Sequence, residues 1–122
     1  MGRFDHAIGY LTVFWPKLYE YDGCIFVGDM PDEENYQSWL KSTEGNKKSV
    51  EAVLNHVHIV DLFQGNETQP TEGQIIYIGN VLKEIWSYRA KVEFPERDIS
   101  VEFYEGTEGD LVEYQVTLFQ NE

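Results

Sequence analysis

The stretch that most constrains this chain is its C-terminal end, where two runs of alternating side chains flank a glycine-containing loop. Ile99, Val101 and Phe103 alternate with Ser100, Glu102 and Tyr104. Val112, Tyr114, Val116 and Leu118 alternate with Glu113, Gln115 and Thr117, and Glu105-Gly106-Thr107-Glu108-Gly109-Asp110 lies between the runs. Period-two alternation on both sides of a short glycine loop predicts an antiparallel hairpin with one apolar face. A lone hairpin is marginal in water, so the rest of the chain must supply a third strand or a helix layer to cover it.

Cover is available upstream. Ile75, Ile78, Leu82, Ile85 and Arg89 form one stripe of a helix over about 72–91, flanked by Gly79 and Trp86. Thr71 with Gln74 three residues on has the form of a capping box, and Phe94-Pro95 closes the unit. From Lys47 to Phe63 the residues Val50, Val53, Leu54, Val57, Val60 and Leu62 keep a mostly helical period, ended by Gly65-Asn66. Carboxylates in the first turn predict a shorter helix over about 32–43, carrying Tyr36, Trp39 and Leu40 inward, with Gly45-Asn46 as its break. Phe4, Ile8, Leu11 and Trp15 share a helical face ended by Pro16, although alternation through Ile8, Tyr10, Thr12 and Phe14 fits a strand nearly as well. Asp22-Gly23 signals a turn, and the apolar run Cys24–Val27 reads as a buried strand, the candidate third member of the sheet. The expected class is α+β: three to four helices packed on one face of a small antiparallel sheet ending in a C-terminal β-hairpin. At 122 residues, 42% apolar and rich in aromatics, residues 1–122 are expected to form a single domain.

Charge excludes several partners. The chain carries a net −13, and residues 92–122 hold nine carboxylates against one base, Arg97, for −8 of that total. Binding to nucleic acid or to an anionic membrane asks for a basic patch, and the one adjacent basic pair is Lys47-Lys48. Cys24 is the single cysteine, so neither an intrachain disulfide nor a Cys-rich zinc site can form, and a reducing compartment is expected. The apolar run Ala7 to Trp15 is nine residues, short of the roughly 20 needed to span a bilayer. Asp5 before it and Phe14-Trp15-Pro16 after it do not suit a cleaved leader, and His6 stands where the myristoylation pattern wants Ser or Thr. Asn66-Glu67-Thr68 matches a glycosylation sequon, which has no use in the cytoplasmic setting expected here.

The hairpin register makes one site expectation. A loop of 105–110 sets Tyr104 opposite Leu111, Phe103 opposite Val112 and Glu102 opposite Glu113, leaving two carboxylates facing each other on the outer surface. With Glu105, Glu108 and Asp110 they would make an acidic docking patch for a basic protein, with Tyr104 as its aromatic anchor; an ordinary solvated polar face is the plain alternative.

Other constellations are thinner. If residues 47–63 are helical, His56 and His58 lie about 200° apart and cannot grip one metal together. His58 would share a face with Glu51, Asn55 and Asp61, a set able to hold a metal or act as a general base, or simply to pair as His58 with Asp61 on the surface. Cys24 could be a nucleophile, but its neighbours Ile25, Phe26 and Val27 point to a buried thiol that behaves as a small hydrophobe. Residues 29–35 resemble a calcium loop in composition without its spacing, and no glycine-rich phosphate loop or Gly-x-Ser-x-Gly elbow occurs. Six aromatics fall within residues 10–26; most suit a core, while Tyr19 and Tyr21 around Lys17 and Glu20 could line a groove or a dimer contact.

The reading that follows is a small acidic intracellular protein, not an enzyme and without a cofactor. It would act by protein–protein binding, in the manner of an immunity- or antitoxin-type inhibitor whose negative face occludes a basic partner. The competing readings are a small metal-dependent hydrolase using Glu51, His58 and Asp61, and a ligand-binding domain with its pocket between sheet and aromatic helices.

Overall fold

The computed structural model describes residues 12–63, 69–107 and 110–121. Residues 12–14 are helical up to the break at Pro16, and the rest of the helix expected over Phe4–Trp15 lies outside the described residues. Asp22 and Gly23 both take positive φ (54° and 82°), the backbone of a type I′ turn, and they join β1 (Leu18–Tyr21) to β2 (Cys24–Val27) as a tight antiparallel hairpin. The strand at Cys24–Val27 is therefore present. It pairs with β1 in its own two-stranded sheet, not with the C-terminal hairpin.

Two short helices follow. In α1 (Glu33–Ser42) the Asp32 carboxylate caps the start by accepting from the Asn35 N–H, Tyr36 is fully buried, and Trp39 remains 37% exposed. In α2 (Lys47–Leu54) the Asn46 side chain caps the start through the Ser49 N–H, after Gly45 turns the chain at φ 81°. The helix expected to continue to Phe63 stops at Leu54. Residues Val57–His58 form β3, and Ile59–Phe63 wind into a 3-10 turn. The cause is tertiary: Asn55 turns its side chain onto the two sheets, and Val57 finds a strand partner in Val116.

The long helix α3 (Glu72–Glu93) starts from a complete capping box, with the Thr71 hydroxyl accepting from the Gln74 N–H and the Gln74 side chain accepting from the Thr71 N–H. Its buried line is Ile75, Gly79, Leu82, Trp86 and Ala90, so the stripe is rotated toward the residues read as its flanks. The rotation suits Gly79, where a Cβ would stand 2.3 Å from the Phe103 ring; the missing side chain lets α3 settle on β4 (Ile99–Tyr104).

Strand β5 (Gln115–Gln120) is the middle of a three-stranded antiparallel sheet ordered β3-β5-β4. The observed register sets Tyr104 opposite Gln115, Phe103 opposite Val116 and Glu102 opposite Thr117. Partners of β4 thus lie four residues beyond those given by the loop arithmetic, because Leu111–Glu113 form a 3-10 turn capped by Asp110 rather than strand. An even displacement keeps every side chain on its expected face, so Val101 and Phe103 keep apolar partners, now Leu118 and Val116. The Glu102–Glu113 pair does not form.

Val116 and Leu118 join Ile75, Leu82, Trp86, Val101 and Ile25 in the main core, while Cys24, Phe26, Tyr36 and Val50 make a second cluster under α1 and α2. The opposite face of β5 is covered as well: the Thr117 hydroxyl donates to the Ala52 carbonyl (2.6 Å), and Lys48 sits over the Phe119 ring.

Beyond the two residues of β3, the β5 edge is met by side chains of α2. Glu51 accepts from the Ile25 N–H (2.7 Å) with one carboxyl oxygen and from the Gln120 N–H (2.9 Å) with the other, and the Gln120 side-chain amide also donates to it (2.6 Å). Asn55 accepts from the Val27 N–H and donates to the carbonyls of Ile25 and Leu118, each at 2.9 Å. One helix face thus supplies the hydrogen bonds that join β2 to β5. We expect Asn55→Ala to lower the free energy of unfolding by about 3 kcal/mol, near 1 kcal/mol for each bond lost. Asn80→Ala, on the exposed side of α3, should change it by less than about 0.5 kcal/mol. Urea denaturation of the two variants measures both.

Candidate functional site

At the end of the sheet where β4 meets β5, the loop is braced by its own carboxylates. Glu113 accepts from both the N–H (3.1 Å) and the hydroxyl (2.8 Å) of Thr107, and Asp110 accepts from the Val112 N–H. Gly106 permits the closure, since a Cβ there would lie 2.8 Å from the Asp110 carbonyl oxygen. The Thr107 hydrogen bonds, backbone first, hold the Glu113 carboxyl below its usual pKa and keep it ionised. Glu105, Asp110 and Glu113 are exposed, Glu102 is half-buried across from Thr117, and Tyr104 and Val112 are 46% and 58% exposed. Glu108 lies outside the described residues. Among the described residues the ion pairs are Lys47–Asp22, Arg89–Glu93 and Arg97–Glu20, so none of these four carboxylates is neutralised from within.

The imidazoles sit differently from expectation. His58 is on β3 and His56 just before it, not on a helix, and their rings meet edge to face at 4.9 Å. Each Nδ1 lies against a backbone carbonyl, that of Val53 for His56 and that of Val112 (2.7 Å) for His58. A carbonyl can only accept, so Nδ1 carries the proton in both rings. Glu51 is buried with both oxygens engaged, and Asp61 is exposed in the 3-10 turn. Glu51, His58 and Asp61 are not brought together, and no group of three or more His, Cys, Asp or Glu side chains able to hold a metal ion occurs among the described residues.

Cys24 is fully buried, its Sγ 3.8 Å from the Tyr36 hydroxyl, and that hydroxyl donates to Asp22 (2.7 Å). Burial pushes the thiol upward in pKa, away from the thiolate a nucleophile needs.

A cavity of about 450 Å³ opens beside the β1–β2 hairpin, walled by Trp15, Tyr19, Trp86 and Leu54. Lys17, Asp29 and His56 also line it. The hairpin ends are tied there by the Gly28 N–H, which donates to the Lys17 carbonyl (2.8 Å), so Lys17 and Asp29 flank one opening. Tyr19 and Lys17 thus line a groove, whereas Tyr21 leaves it to bond Glu33 and pack on the edge of Tyr36. The calcium-loop composition of residues 29–35 does not point to this cavity; the Asp22-Gly23 turn does carry a signal, since a two-residue hairpin there sets Gly28 opposite Lys17 and Asp29 one residue beyond.

Comparison with known proteins gave no match: no family model fits the chain, and no curated protein or solved structure matches it. No helix among the described residues is long and apolar enough to cross a membrane.

The Glu113 carboxyl provides a check on the braced loop. Its folded pKa is depressed, so its contribution to loop order is present above the ordinary carboxylate range and is lost as pH falls through the folded value. In a side-chain NMR titration Glu113 should titrate below a free glutamate, and Thr107→Ala should move its midpoint upward. An unchanged midpoint in that variant contradicts the bracing.

Proposed function

We propose that this chain is a non-enzymatic binding protein that holds a basic protein partner against the acidic end of the β4–β5 pair. The observation that carries the reading is the placement of two exposed apolar side chains, Tyr104 and Val112, at one end of the sheet. Around them stand Glu102, Glu105, Asp110 and Glu113, which have no internal cation among the described residues. An exposed aromatic within a charged rim is the composition of a binding hot spot, and unneutralised carboxylates speed encounter with a cationic surface. Bracing by Thr107, Asp110 and Glu113 ties the two described ends of the loop together, which reduces the ordering cost of association.

An immunity- or antitoxin-type inhibitor would use such a face to occlude the cationic cleft of a nuclease, its carboxylates standing where phosphates would lie. The lone buried thiol of Cys24 and the absence of any disulfide requirement support placing it in the cytoplasm.

The test is capture from native lysate by the unaltered protein and by a Glu102→Lys, Tyr104→Ser, Glu105→Lys variant. These three residues are chosen because none of them braces the loop. One dominant basic protein, held at low salt, released at high salt and absent from the variant, is the expected result. Retention of the same proteins by the variant, or no capture at all, contradicts the proposal.

A further inference from the structure

We propose that the cavity beside the β1–β2 hairpin is a binding site for a small zwitterion with an aromatic side chain, a free aromatic α-amino acid. The first observation is a pair of opposite charges that line one cavity without meeting. Lys17 and Asp29 are exposed at its mouth on the two ends of the hairpin, held in place by the Gly28-to-Lys17 backbone hydrogen bond. Among the described residues neither side chain has an ion pair or a hydrogen bond. A ligand carrying both charges satisfies both groups. An acid alone would bring a second anion beside Asp29 in a chain of net charge −13, and an amine alone would leave Lys17 unmatched.

The hydrogen-bonding set matches as well. Lys17 Nζ and the Tyr19 hydroxyl can donate to a carboxylate. For an ammonium group, the Asp29 carboxylate accepts. The walls select the side chain. Trp86 is fixed by its N–H donating to the Val13 carbonyl (2.8 Å), and Trp15 packs near Tyr88 (ring centroids 6.2 Å apart) and the Arg89 guanidinium (4.9 Å from its ring) while staying half exposed. Trp86 closes the cavity from the core side, while the exposed Trp15 indole and the half-buried Tyr19 phenol offer a planar side chain aromatic contact. The volume, about 450 Å³, lies within the usual range of small-molecule sites, about 300–1,000 Å³.

The experiment titrates L-phenylalanine into the full chain. Tryptophan emission is followed, because phenylalanine carries no indole while Trp15 and Trp86 line the site, and calorimetry is run in parallel. Phenethylamine and 3-phenylpropionate, each keeping one of the two charges, are titrated in the same way. Saturable binding of phenylalanine is expected, weakened about tenfold or more in either analogue and in Lys17→Met and Asp29→Asn, the loss of one charge-assisted hydrogen bond. Both substitutions remove exposed, unpartnered charges, and an unchanged circular dichroism spectrum confirms that the variants fold. No binding of phenylalanine by either method overturns the proposal, as does an analogue that binds as tightly as phenylalanine.

Discussion

Glu51 has been removed from water almost completely, at 1% exposure, and no cation pairs with it among the described residues. A carboxyl group so placed is tolerated only when hydrogen-bond donors replace the water it has lost. Here they are the N–H of Ile25, the N–H of Gln120 and the Gln120 side-chain amide, drawn from two different sheets. One turn along α2, Asn55 repeats the arrangement with Val27, Ile25 and Leu118. Strands β2 and β5 therefore belong to one body through side chains rather than through a backbone ladder. Gln120 extends the network to Arg97, which reaches Glu20 on β1, so the α3–β4 connection is fastened to the same junction.

Both surfaces singled out for binding depend on this junction. Asn55 is one of the residues lining the aromatic cavity, and its side chain holds Val27, which sets the end of β2 beside that cavity. On the other side, β5 is held centrally between β3 and β4, and its start at Gln115 fixes where the acidic loop and Tyr104 emerge. The two regions differ in character: one is concave, aromatic and locally balanced in charge, the other exposed and acidic. A chain of this size can hold both because helices cover both faces of β5, leaving the sheet's ends and the hairpin mouth for contact.

Much of the architecture was legible in the residues. The capping box at Thr71 and Gln74, the break at Gly45-Asn46, the Cys24–Val27 strand and the alternation of Val101 and Phe103 all act locally, and local physics decided them. The misreadings share a different cause. Val57, Val60 and Leu62 keep a helical period after Leu54, yet Asn55 is worth more as a bridge between sheets than as a helical residue. Val112 has the spacing of a strand residue, but the Asp110 cap winds it into a 3-10 turn, which moved the register by four and separated Glu102 from Glu113. A helical period puts Glu51 on one face with Asn55, His58 and Asp61; in the fold only Glu51 and Asn55 share a buried face, because the helix ends at Leu54, and burial between two sheets leaves no mark in the period. Of the acidic face, Tyr104, Glu105, Asp110 and Glu113 are exposed as expected, whereas the bracing role of Glu113 required the fold of its loop.

Native-state amide hydrogen exchange tests the junction most directly, because the amides of Ile25, Val27 and Gln120 are held by side-chain acceptors outside any backbone ladder. These three should exchange as slowly as the amides of the β4–β5 ladder, opening only with the whole fold. Exchange at loop-like rates while that ladder stays protected would show that the two sheets are not joined through Glu51 and Asn55.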